Sequence, residues 1–301
     1  MKRFHLTMLC SWTAVLAVSV VGTRLTNVHM QGGRSVAVLG AIIMMGLFPL
    51  GAWLHSARRV YILDCLLTLL WVFCSAYGTL YFVALACRLG GKHPLKDALF
   101  EHIDALTGVS VAAIVDWTFA HHVYGFFHSI YLGIGVAMWT AILVPIVTGK
   151  VERVQGMLLA FVLTLPIAFP IIVYLPAIGP WYLHSPHGDF GLQMITDEIL
   201  RFRQAGPQEF IPTGIVAAPS YHVIWMVLFA WVLWEYRWLR IPVAIYTVLL
   251  ILSTMAIGCH FFIDVLSGIA VSVVAIYLAK RIQKSSDESS CRRDRLVRET
   301  G

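Results

Sequence analysis

A helix needs about 18–20 apolar residues to cross the hydrocarbon core of a bilayer. This chain has eight apolar runs of that order, at 4–23, 36–54, 60–87, 124–148, 154–178, 219–236, 241–259 and 260–280. Lipid cannot satisfy backbone N–H and C=O groups, so each run must close its own hydrogen bonds as a helix. The last two runs are nearly contiguous and require a tight re-entry near Gly258–His260. Of the 301 residues, 59% are hydrophobic and 13% charged, against roughly 45–50% and 25% in soluble domains. One water-soluble core of this size could not hide that much apolar surface. The expected fold is therefore an all-α integral membrane bundle of about eight transmembrane helices.

The net charge of +6 would suggest nucleic acid in a soluble protein. Here the basic residues lie in short loops and the C-terminal tail, where they orient the chain, and no basic surface is interleaved with aromatics, which excludes a nucleic-acid partner. With the N-terminus inside, the inner set is Lys2, Arg3, Arg58, Arg59, Lys150, Arg153, Arg237, Arg240, Lys280, Arg281, Lys284, Arg292, Arg293, Arg295 and Arg298, fifteen in all. The outer set is Arg24, Arg34, Arg88, Lys92, Lys96, Arg201 and Arg203, which is seven. The imbalance predicts both termini in the cytoplasm, two long outer segments at 88–123 and 179–218, and residence in the plasma (inner) membrane. The first run follows Lys2 and Arg3, as a signal peptide would, but its length and the lack of a small-residue cleavage site predict an uncleaved helix. Six cysteines without a C-x-x-C pair predict no disulfide framework or zinc knuckle.

Within the outer segments, Leu95, Leu99, Ile103 and Leu106 share one helical face, which predicts a helix lying in the interface plane. Phe190, Leu192, Met194, Ile195, Ile199 and Leu200 are spaced for an amphipathic lid helix. The tail 281–301, charged and serine-containing, is expected to be disordered.

Two motifs carry chemistry, and the charge-based topology puts both at the outer face. Pro219-Ser220-Tyr221-His222 opens the sixth run, where the free N–H groups of a helix N-terminus favour phosphate. Ser253-Thr254-Met255-Ala256-Ile257-Gly258-Cys259-His260-Phe261-Phe262-Ile263-Asp264 joins the last two runs. His260 and Asp264 share a face if the helix has begun, and a carboxylate beside an imidazole supports a neutral nitrogen nucleophile toward phosphorus. Histidine and aspartate are costly at membrane depth, so such residues are functional candidates. A lone His-x-x-x-Asp would be an ordinary capped histidine; the ordered pair of motifs on one side argues for catalysis.

The P-S-x-H element followed by S-x6-H-x3-D resembles the second and third motifs of the type-2 phosphatidic acid phosphatase superfamily, over roughly residues 100–280. The run Tyr174-Leu175-Pro176-Ala177-Ile178-Gly179-Pro180-Trp181-Tyr182 further resembles the branch containing inositol phosphorylceramide synthase. The resemblance implies a six-helix catalytic core at 91–280, preceded by helices in 1–90 and followed by a basic tail at 281–301. It implies His260 as the nucleophile that forms a phosphohistidine, Asp264 orienting it, and His222 protonating the leaving oxygen. Ser220, with Tyr221 and Trp181, would help bind substrate. No cofactor and no metal are implied; the partners are a phospholipid and, for transfer, a hydroxylated lipid acceptor. Two departures stand out. The family's first motif, a lysine followed at a distance by Arg-Pro, is missing, and Thr254 stands where an arginine follows the third motif's serine. Arg201 and Arg203 are the candidates to replace those cations. The expected activity is headgroup transfer from a lipid phosphodiester; lipid phosphate hydrolysis is the alternative, and a transporter that kept the fold is the alternative of another class.

Other polar residues read as structure. His184, His187 and Asp189 could bind a metal, though loop polarity accounts for them. His121, His122 and His128 suit interfacial anchoring. A reporter active only outside the cytoplasm is expected to be active when fused at Asp189 and inactive when fused in the tail; the reverse pattern would invert the topology.

Overall fold

The computed structural model describes residues 3–30, 57–184, 190–204, 206, 208–210 and 217–300. Its elements are α1 (Arg3–Leu25), β1 (Val28–Met30), α2 (Ala57–Gly90), α3 (Asp97–Leu106), α4 (Val111–Ala120), α5 (Tyr124–Leu132), α6 (Ile134–Val147), α7 (Val151–Tyr174), α8 (Pro180–Leu183), α9 (Phe190–Arg203), β2 (Gln208–Phe210), α10 (Tyr221–Leu233), α11 (Arg240–Ala256) and α12 (Phe262–Thr300). The protein is an all-α, multi-pass membrane protein apart from one short parallel pairing of β1 with β2. Among the described residues, five stretches are long and apolar enough to cross a bilayer, namely Phe4–Leu25, Val60–Gly90, Tyr124–Val147, Val151–Tyr174 and Phe262–Ser285. Of the other expected spans, α10 and α11 form as shorter apolar helices, and 36–54 lies outside the described residues.

α7 is the axis of the bundle. It packs against α2 on one flank and α12 and α10 on another, and it buries Val154, Met157, Leu158, Leu165 and Ile172 among others. Lipid is as apolar as these side chains, so close packing and interhelical hydrogen bonds hold the helices together rather than hydrophobic transfer.

Side-chain bonds fix which helix ends meet. At one end Lys150 and Arg153 flank Glu235, the latter at 2.6 Å, and the Tyr61 hydroxyl donates to Ile146 O at 2.6 Å. At the other end Arg88 donates to the carbonyls of Thr26, Phe202 and Gly206, and both histidine motifs lie there. Lys150, Arg153 and Arg240, three residues of the expected inner set, thus lie at the end away from the histidines.

α3 and α4 meet at 85°. The pair starts at this histidine end, where Lys96 N–H bonds Pro176 O at 2.8 Å, and finishes there, where Thr118 Oγ1 bonds Ala256 O at 3.1 Å. It therefore caps the bundle without crossing it, close to the interfacial placement expected for 95–106. The buried face differs, however. Leu99 and Leu106 are exposed, whereas Asp97, Phe100 and Asp104 are buried. α9 forms as expected but docks sideways, with Ile199 and Phe202 against Ala84 and Val28; it does not act as a roof. The tail also departs from expectation, since α12 runs on to Thr300 as helix. A formed span removes the nucleation cost, and Lys, Arg and Glu propagate helix readily.

One buried polar network ties the N-terminal helices to the axis. His5 Nε2 and Asp64 Oδ1 lie 2.7 Å apart, and Gln155 Nε2 donates to Asp64 Oδ1 at 3.2 Å and to Thr68 Oγ1 at 3.0 Å. Trp71 Nε1–H donates to His5 Nδ1 at 3.1 Å, so the Nε2 nitrogen carries the proton given to Asp64. Removing one member of a buried ionic network leaves its partners unsatisfied, at about 3–5 kcal/mol. Asp64→Ala is expected to lower the thermal unfolding temperature in detergent clearly, and Asp64→Asn less. Unchanged melting of Asp64→Ala would mean the network carries no stability.

Candidate functional site

The helix α10 starts at Tyr221 because Ser220, fully buried, caps it: Ser220 Oγ accepts from Val223 N–H at 3.4 Å. The preceding Ala218–Pro219 peptide is cis. The Ser220 N–H donates to Asp264 O at 3.2 Å, which joins the first motif to the second directly. Gly268, one turn further along α12, permits this approach; a Cβ there would lie 2.8 Å from Ser220 O.

His260 does not share a helical face with Asp264, since α12 begins only at Phe262. It sits in the turn before the helix, 4% exposed. Its Nδ1 lies 2.9 Å from Ala217 O. A carbonyl only accepts, so Nδ1 carries the hydrogen and Nε2 keeps its lone pair. Asp264 Oδ2 is 3.9 Å from the same Nδ1, too long for a hydrogen bond, and accepts instead from Phe261 N–H at 2.9 Å. The tautomer is thus set by Ala217, and the carboxylate acts on the ring through space. Asp264 Oδ1 is buried and has no hydrogen-bond partner among the described residues.

The His222 ring centroid is 6.2 Å from that of His260. Tyr131 from α5 stacks on His222 with centroids 4.0 Å apart and planes within 25°. The Tyr131 hydroxyl is 3.1 Å from His222 Nδ1, but with the rings nearly parallel it approaches the imidazole from its face.

Two carboxylates that the motifs do not include frame the histidines. Asp97 Oδ1 accepts from Ile178 N–H at 2.9 Å and Gly179 N–H at 2.8 Å. Asp104 accepts from Phe262 N–H at 2.7 Å and Ile263 N–H at 2.9 Å, the first turn of α12. They are two helical turns apart, on the buried face of α3. Asp97 therefore holds the Pro-Trp loop and Asp104 the start of the helix that follows His260. The loop and the turn touch: Trp181 N–H donates to Gly258 O at 3.1 Å. At Gly179, φ is +126° and a Cβ would come within 2.6 Å of Cys259 O, so glycine is required on both counts. The spacing of Asp97 and Asp104 around Phe100 was the available sequence signal, and reading the leucines as the inner face concealed it.

The remaining expected residues serve elsewhere in the structure. Arg201 is held by the Glu198 carboxylate at 2.6 Å, and Arg203 donates to the carbonyls of Gly90 and His93. Tyr221 packs in the main core, with its ring near Trp225. Trp181 is buried and lines a cavity of about 410 Å³ with Ala112, Val115, Asp116, Pro180, His184 and Gly258. His184 bonds Glu101, while His187 and Asp189 lie outside the described residues. No metal-ligating cluster occurs among the described residues.

A family model for the PAP2 superfamily matches residues 99–278. The chain belongs to the PAP2 superfamily. It is a membrane enzyme of the phosphatase and phosphotransferase type, and the match spans both histidine motifs and Asp104 while leaving out α1, α2 and Asp97. No curated protein and no solved structure matches the chain.

A carboxylate with two backbone bonds at a helix start cannot be replaced by a methyl group without leaving those N–H groups unsatisfied, at about 1–3 kcal/mol each. Asp104→Ala is expected to reduce kcat at least about tenfold in protein that still elutes as a monodisperse species, with Asp104→Asn recovering part of the loss. Full activity in Asp104→Ala would show that this clamp does not position the site.

Proposed function

We propose that the protein transfers the phosphoryl headgroup of a lipid phosphodiester to a lipid hydroxyl through a phosphohistidine, as the resemblance to the inositol phosphorylceramide synthase branch implies. In this reading His260 Nε2 attacks phosphorus and the bond to the diacylglycerol oxygen breaks. His222 gives that oxygen its proton. The ring of His260 gains positive charge, which Asp264 at 3.9 Å and the Ala217 carbonyl favour. The acceptor hydroxyl then loses its proton to His222 and attacks phosphorus, and the N–P bond breaks. Ser220 and Tyr221 contribute by holding the start of α10 instead of touching phosphate. The reading places the site at the extracytoplasmic face, with both termini in the cytoplasm.

The observation that carries the choice of a diester is the engagement of the candidate cations. Arg201 is bound to Glu198 and Arg203 to two carbonyls, and the N-termini of α10 and α12 are capped by Ser220 and Asp104. A dianionic phosphomonoester needs more positive charge than a monoanionic diester. Recess of the site supports a lipid acceptor over water. α10 has 13 residues, about 20 Å at 1.5 Å per residue, against a hydrocarbon core of about 30 Å. Its histidine end therefore sits below the height that longer helices reach, under the α3–α4 cap, and excluding water removes the competing nucleophile.

Purified protein given a diester lipid and a hydroxylated lipid acceptor is expected to form a new phospholipid. His260→Ala is expected to abolish turnover, His222→Ala to lower it about 10²–10⁴-fold, and Asp264→Asn to lower it strongly with the fold intact. Rapid release of inorganic phosphate from phosphatidate, with no new lipid from any acceptor, would replace transfer by hydrolysis.

A further inference from the structure

We propose that Tyr131, which belongs to neither histidine motif, is a positioning residue for His222: its ring, stacked on the imidazole, holds His222 in the proton-bearing form that the acid step uses. The proposal rests on the role given to His222 in the transfer reading above. There the imidazole gives its proton to the departing diacylglycerol oxygen and takes one back from the acceptor hydroxyl, so each cycle starts from an imidazolium. Withdrawing that charge from water is costly unless a neighbour compensates. For His260 the compensating group is plain, since Asp264 Oδ2 lies 3.9 Å from its Nδ1. His222 forms no ion pair among the described residues.

Few titratable groups surround this imidazole. His260 stands 6.2 Å away between ring centroids, and a charge there would oppose a second one. Asp264 faces His260 and the Phe261 N–H. α6 and α10 carry no Asp, Glu, Lys or Arg. The charged residues of α7 and α11 (Glu152, Arg153 and Arg240) lie at the opposite end of the bundle, as does Lys280 of α12, which sits over Trp231. Two aromatic rings remain. Trp225 is 5.9 Å from the imidazole with planes at 52°, whereas Tyr131 is at 4.0 Å and 25°. A cation over an aromatic face within about 6 Å is attracted by the ring quadrupole, more strongly where water is excluded. The Tyr131 hydroxyl meets the imidazole from its face, so the ring is the active part and not an in-plane hydrogen bond. Its placement is secured from two directions. The Cys259 thiol lies within hydrogen-bonding reach of the Tyr131 hydroxyl, and the Tyr246 hydroxyl of α11 donates to Ile130 O at 2.9 Å. Tyr131 thereby links α5 to His222 and to the residue that precedes His260.

Titration of His222 reads the claim directly. Full-length protein in detergent, with histidines carrying an NMR-active nitrogen isotope, gives the midpoint of His222 once its signals are identified by their loss in His222→Ala. Wild-type protein and Tyr131→Phe are expected to share a midpoint, because phenylalanine keeps the aromatic face. Tyr131→Leu is expected to lower it by about one pH unit, since losing a contact that favours the charged form makes the proton easier to remove. The alkaline limb of kcat, measured with lipids that the wild-type protein turns over, is expected to move to lower pH with it. Tyr131→Leu would then be about tenfold slower above the limb, and the deficit would shrink as the pH falls. A merely structural tyrosine would lower kcat equally at every pH. An unchanged midpoint in Tyr131→Leu, a Tyr131→Phe protein that titrates like Tyr131→Leu, or a wild-type His222 that takes up no proton down to about pH 5 would overturn the proposal. Full turnover in His222→Ala would instead sink the acid–base role on which the proposal rests, whatever the titration shows.

Discussion

Everything at the histidine end depends on backbone N–H groups that side-chain and main-chain oxygens hold in place. Asp104 takes two from the start of α12, Asp97 takes two from the loop before α8, and the Asp264 carbonyl takes one from Ser220. Leaving such buried donors without an acceptor costs about 1–3 kcal/mol each, so these bonds fix the local geometry. The imidazoles of His222 and His260 are brought within 6.2 Å by segments that these bonds tie together. The same arrangement explains why the site is acid-rich, with Asp97, Asp104 and Asp264 all buried around it. Carboxylates serve here as anchors for backbone, and the first N–H groups of α12 are taken up in doing so.

That allocation bears on chemistry. Membership in the PAP2 superfamily establishes phosphatase or phosphotransferase chemistry in general, and the matched stretch contains His222, His260 and Asp264. The departures at the missing first motif and at Thr254 are not repaired by Arg201 or Arg203, which are committed to Glu198 and to the carbonyls of Gly90 and His93. In the proposed reading, a site whose candidate cations are engaged and whose described residues include three buried carboxylates disfavours a doubly charged phosphate relative to a singly charged diester.

Much of this was legible in the sequence, for specific reasons. Long apolar runs announce membrane helices because lipid leaves no other option. The tight re-entry at Gly258–His260 is visible as a glycine and a histidine between two apolar stretches, and α12 does begin directly after it, at Phe262. What was not legible came from competition between patterns. The leucines of 95–106 have helical spacing, yet Asp97 and Asp104 won the buried face because they satisfy backbone donors that no leucine could. The periodicity of 190–203 identified a helix correctly but could not say that it docks on α2, since an apolar stripe does not name its partner. His260 and Asp264 are four residues apart, but the helix starts between them, so the contact expected from spacing became a 3.9 Å electrostatic one and a main-chain carbonyl took over the imidazole hydrogen.

The central claim is that His260 carries the headgroup and its phosphate between two lipids. It can be tested by quenching the enzyme with a diester donor in the absence of acceptor and weighing the peptide that contains residue 260. The account predicts an adduct at His260 equal in mass to the phosphoryl group plus the intact headgroup, stable in alkali, labile in acid, and absent from His260→Ala. An adduct of phosphate alone formed from phosphatidate, or none from any donor under conditions of turnover, would contradict it.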